Sequence, residues 1–105
     1  MFIKLSAAKK VTLEDANNFR AFKLVIEGRP AAIDDVRRAL AGTAGLVDKD
    51  TAWVSQAALR SRAEVAQDQT WQQQFDAMIE KAKPHGWIDE RQQAIKAHVE
   101  WVEPA

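Results

Sequence analysis

Ala94-Ile95-Lys96-Ala97-His98-Val99-Glu100-Trp101-Val102 is the stretch whose reading decides how this chain folds. Ile95, Ala97, Val99 and Trp101 alternate with Lys96, His98 and Glu100, the period of a half-buried strand. A helix begun at Asp89 would also group Ile95, Val99 and Val102. β-branched and aromatic residues are enriched here, which favours the strand. Residues 22–27 pose the same question. A helix over residues 13–27 places Phe19, Phe22 and Ile26 on one face, with Gly28 as its stop and Thr12 and Asp15 as a partial capping box. The rival is a strand over residues 22–27 with Phe22, Leu24 and Ile26 inward. The helix is the preferred reading there. If both stretches are helical, the chain becomes an all-α bundle.

The other elements are read outward from these two. Residues 2–6 alternate weakly and suggest a strand. Ile33, Val36 and Leu40 recur at helical spacing, Asp34 and Asp35 suit the positive first turn, and Gly42 ends the helix. Residues 43–50 are rich in turn formers, although they contain Leu46 and Val47. Thr51-Ala52-Trp53-Val54 is strand-like, and Ser55 suits the cap of a short helix over residues 56–63. Thr70 and Gln73 form a capping box, followed by Trp71, Phe75, Met78, Ile79 and Ala82 along one helical face. Pro84 and Gly86 stop that helix. The predicted fold is therefore α+β: one small domain over residues 1–105, about three antiparallel strands covered by three or four helices.

Composition narrows the function classes. Of 105 residues, 47% are apolar, but nineteen are alanine, leaving enough large side chains for one modest core. Fifteen basic residues balance fifteen acidic ones, without the basic stripe through which nucleic-acid binders neutralise phosphates. Nucleic acid is disfavoured as a partner; Arg37, Arg38, Arg60 and Arg62 would be the residues of a weak accessory role. There is no cysteine, so disulfides, thiolate chemistry and cysteine-built zinc sites are excluded. The run Leu24-Val25-Ile26 is far short of the roughly 20 residues of a membrane helix. Met1-Phe2-Ile3-Lys4-Leu5 is too short for a signal-peptide core. No membrane association and a cytoplasmic location are expected.

Motifs with chemistry are few. His98 and Glu100 share a strand face beside Lys96, an acid-base or metal pair in principle, but metal sites usually need three or four ligands. In His85-Gly86-Trp87-Ile88-Asp89, Gly86 is expected to take a positive φ, with His85 capping the last helical carbonyls and Trp87 folding back as an anchor. His85 and Asp89 are the functional alternative. Asp48-Lys49-Asp50 begins like a calcium loop but lacks the glycine and the closing Glu. Gly42-Thr43-Ala44-Gly45 lacks the residues of a phosphate loop. Ser6, Ser55 and Ser61 stand outside any nucleophile context. Trp53 and Trp101 are expected in the core.

Three of four tryptophans (Trp71, Trp87 and Trp101) and both histidines fall in the last 35 residues. The expected function is a non-enzymatic interaction or accessory module, with a second copy of the chain or another protein as partner. No cofactor is expected. Self-association would use an apolar patch with Trp87 or Trp101, through the exposed edge of a terminal strand. The alternative is a small-molecule binder or enzyme with a pocket near His85, Trp87, His98 and Glu100.

Overall fold

In the computed structural model, which describes residues 1–103, the chain is built around a seven-stranded mixed sheet that curls into a half-barrel. The strands are β1 (Phe2–Leu5), β2 (Val11–Glu14), β3 (Lys23–Glu27), β4 (Ala44–Leu46), β5 (Thr51–Ser55), β6 (Ile88–Asp89) and β7 (Ala94–Val102). Helices are α1 (Ile33–Ala39), α2 (Gln56–Arg60) and α3 (Gln69–Ala82). The main path across the sheet runs β2-β1-β3-β7-β5-β4, and β6 pairs with β7 off that path. The expected three antiparallel strands under three or four helices, and the all-α alternative, are both overturned.

The correction has a local cause. Residues 13–27 hold no helix. Ser6 and Lys10 close a hairpin, with Lys9 at a φ of 66°, so β2 turns back onto β1. Asp15, at a φ of 51°, ends β2, and an irregular loop carries Phe19 to Phe22 before β3 begins. Phe19, Phe22 and Ile26 match a helical period but belong to two different segments. β3 lies between β1 and β7 and runs parallel to both. Its Leu24, Val25 and Ile26 are all buried, on both faces of the sheet. A parallel strand covered on both sides reads as a continuous apolar run, without the alternation that marks a half-exposed strand. β7 is the strand expected, but it is central rather than terminal in the sheet.

Register lines up one core face. Leu13, Ile3, Leu24 and Val99 form one row across four strands; Ile95 with Val54, and Ala97 with Ala52 and Leu46, form further rows on the same face. Val36, Leu40, Leu59, Trp71, Phe75 and Ile79 join these strand residues in one buried cluster. On the other face, the Lys23–Glu100 ion pair (2.8 Å) and the looser Lys4–Glu27 pair (4.0 Å) flank Val25. Long charged side chains cover apolar surface with their stems, which accounts for a buried valine on the polar face.

Two of the three helices, α2 and α3, start on side-chain caps. Ser55 accepts from the Ala58 amide at 3.1 Å, as expected, although α2 stops at Arg60. Asp68, not Thr70, caps α3 by accepting from the Trp71 amide at 3.0 Å. Both outer strands are sealed by arginine. Arg62 donates to the Val11 carbonyl of β2 at 2.8 Å, and Glu64 accepts from the Leu13 amide at 3.1 Å. Arg37 donates to the carbonyls of Leu46 and Val47 at the end of β4. Unpaired strand edges invite pairing with another chain, and these side chains occupy those groups. β1 and β7, the first and last strands of the chain, both lie inside the strand order and not at its ends. Among the described residues, no helix is long and apolar enough to cross a membrane.

Candidate functional site

The site arises from an interruption in the sheet. One edge of β7 pairs with β5, and the other is shared by β6, opposite Ala94 and Ile95, and β3, opposite residues 98–102. Between these two short pairings lie Lys96 and Ala97; the Lys96 amide there donates to the Trp87 carbonyl at 2.8 Å. A cavity of about 710 Å³ opens at this break. Its walls are the loop from Phe19 to Phe22, the end of α3 with Met78, Lys81 and Ala82, the turn with His85 and Trp87, and β7 from Ile95 to His98. Asp50 and Thr51 complete the lining.

Local structure holds each wall in place. The Met1 nitrogen donates to the carbonyls of Asn18 (2.8 Å) and Ala21 (3.1 Å), tying the loop to the sheet. Phe19 packs against Trp71, with ring centroids 5.9 Å apart, and the Trp71 indole donates to the Ala16 carbonyl at 2.8 Å. Gly86, at a φ of 75°, turns the chain after the helical end, as its position suggested. The Trp87 amide then bonds back to the Ala82 carbonyl at 3.3 Å. Trp87 is not the buried anchor expected: it is 48% exposed, and its ring stacks on His85 at 4.4 Å.

The lining is chemically divided. Ala82, Ile95 and Ala97 are buried, and Phe19, Phe22 and Met78 are half-buried, giving an apolar floor. Arg20, Lys81, His85, Lys96 and His98 are exposed around it. Asp50 is the one acidic lining residue, and its Oδ2 meets Lys49 Nζ at 3.1 Å.

Of the residues singled out from sequence, His85, Trp87 and His98 border this one cavity. Glu100 lies outside it and is engaged by Lys23 at 2.8 Å. The hydrogen bond from Lys23, reinforced by the charges of Lys23 and His98, holds the Glu100 carboxyl below its usual value. Among the described residues, no hydrogen bond or ion pair joins His98 to Glu100. Asp89 does not serve His85 either; it accepts from the amides of Arg91 and Gln92. Trp101 is half-buried against the core, its indole donating to the Lys49 carbonyl at 2.7 Å, and Trp53 is half-buried on the polar face. Asp48 accepts from the amides of Asp50 and Thr51, which makes the Asp48-Lys49-Asp50 segment a turn. Among the described residues, no group of three or more His, Asp or Glu side chains is placed to hold a metal ion.

Sequence reasoning missed the loop wall. Arg20 and Phe22 fall within the helix the sequence favours over residues 13–27, and only the closeness of Phe19 and Phe22 hints at a shared apolar role. Comparisons with protein-family models, with curated proteins and with solved structures find no match for this chain.

Proposed function

We propose that this protein binds a small molecule with a flat apolar body in the cavity beside Lys96 and Ala97. The observation that carries the reading is a cavity of about 710 Å³ with Phe19, Phe22, Met78 and Trp87 in its lining. Small-molecule sites typically occupy roughly 300–1,000 Å³ and are lined mainly by apolar and aromatic side chains with a few polar groups. Aromatic neighbours add about 0.5–1.5 kcal/mol per well-placed ring beyond simple burial. Trp87 is a natural contact, because a ligand over its exposed ring would remove apolar surface from water.

The test uses N-phenylnaphthylamine, an uncharged dye that brightens in apolar surroundings. Saturable binding of one dye per chain is expected. Amide shifts in an NMR titration should concentrate in the loop from Phe19 to Phe22, at Met78 to Trp87 and at Ile95 to His98. Non-saturating fluorescence, or shifts spread over other surfaces, would refute the reading. Self-association is a second reading, favoured by the exposure of Trp87 and Val47. Sedimentation at micromolar concentration separates the two: a monomer that binds dye supports ligand binding, and a dimer that loses dye binding supports association through Trp87.

A further inference from the structure

We infer that the ligand of this cavity carries an anionic head, carboxylate-like or sulfonate-like, held at the rim by Arg20, Lys81 and Lys96. The inference rests on the ligand-binding reading above and adds the chemical class. Six lysines and arginines have no ion pair among the described residues, and three of them, Arg20, Lys81 and Lys96, line this one cavity. The other three, Lys9, Lys10 and Arg91, lie outside it. Balanced overall charge makes this local excess informative: fifteen acidic side chains match fifteen basic ones, yet among the described residues these three cations pair with none, and Asp50 in the same lining pairs with Lys49.

Each cation has a different local setting. Lys81 sits in the last turn of α3, where a positive charge also suits the helix dipole. Arg20 lies in an irregular loop and Lys96 on a strand, so the dipole explains neither. Elsewhere on the polar face of the sheet, Lys4 and Lys23 are matched by Glu27 and Glu100. Like charges gathered at a partly apolar site repel one another, and an anion relieves that repulsion while accepting charge-assisted hydrogen bonds. His85 and His98 add N–H donors at the same rim. A nucleic acid would call for a continuous basic stripe instead of a concave floor of Phe22, Met78 and Ala97.

The experiment compares N-phenylnaphthylamine with anilinonaphthalene sulfonate, which has the same aromatic body and an added negative charge. The sulfonate should bind about ten-fold tighter at low salt, and the advantage should shrink as salt screens it. The double variant Arg20→Gln/Lys96→Gln should cut the sulfonate's advantage several-fold, leaving the part that Lys81 supplies. Both positions are exposed, so the variant is expected to fold, which circular dichroism would verify. Equal affinities in the native chain, or a sulfonate preference undiminished in the double variant, would overturn the anion inference and leave the apolar site standing. Failure of both dyes would overturn the cavity reading itself, and this inference with it.

Discussion

Trp71 and Phe75, in the first half of α3, stack at 5.0 Å and are almost wholly buried, whereas Met78, Lys81 and Ala82, in its second half, face the cavity. One helix therefore anchors the core at one end and forms the wall of a binding cavity at the other. The amphipathic pattern is continuous across both halves, and the difference comes from what lies opposite. Across from Trp71 and Phe75 is close-packed core; across from Met78 and Ala82 is the stretch of β7 between the two short pairings of β6 and β3. Stability and binding should therefore respond to different substitutions along the same helix.

The largest expected effect belongs to the anchoring half. Phe75→Ala removes a fully buried ring stacked on Trp71 and should cost about 3–5 kcal/mol. For a domain of this size, that lowers the melting temperature by about 12 °C or more. A shift of only a few degrees would show that the division drawn along α3 is wrong. Next comes the sealed edge. Arg62→Ala loses the bond to the Val11 carbonyl and should cost about 1–2 kcal/mol. It should also make sedimentation concentration-dependent, because the outer edge of β2 loses one of its two side-chain seals. Unchanged sedimentation would mean that Glu64 alone seals that edge.

At the cavity the order of effects reverses. Trp87→Ala removes a half-exposed ring, so thermal stability should move by no more than about 0.5 kcal/mol. Affinity for the uncharged dye should fall several-fold, since the apolar contact with Trp87 is lost. A large loss of stability with unchanged dye affinity would assign Trp87 to the anchoring side of the comparison.

This division also marks how much could be read in advance. The helical face from Trp71 to Ala82 was plain because its partners lie at a constant local spacing, and β7 was legible because its two faces differ in polarity. β3 was not, because a strand buried on both faces loses its alternation, and its pairings with β1 and β7 are set by residues far away in sequence. In the site, His85, Trp87 and His98 stood out as unusual residues close to one another along the chain. Glu100 looked equally eligible, and only the distant Lys23 withdraws it. Arg20 and Phe22 were obscured by the mistaken helix, since periodicity carries no information about which loop closes over which strand.

The smallest expected effect sharpens the contrast between a sealed edge and an open cavity. Burial alone would raise the Glu64 carboxyl, but hydrogen bonds from the amides of Glu64 and Leu13 and the charge of Arg62 outweigh it, leaving the group below the usual 4.5. A carboxyl whose pKa is lower folded than unfolded adds stability that is fully present above the unfolded value. That stability is lost as pH falls through the folded value. The side chain is 39% exposed, so solvent screening holds the contribution to a few tenths of a kcal/mol. Glu64→Gln should flatten the decline of melting temperature between about pH 5 and pH 3 and leave dye binding at neutral pH untouched. An acid profile identical to that of the native chain would mean that the Glu64–Leu13 bond adds nothing to the seal, leaving β2 guarded by Arg62 alone.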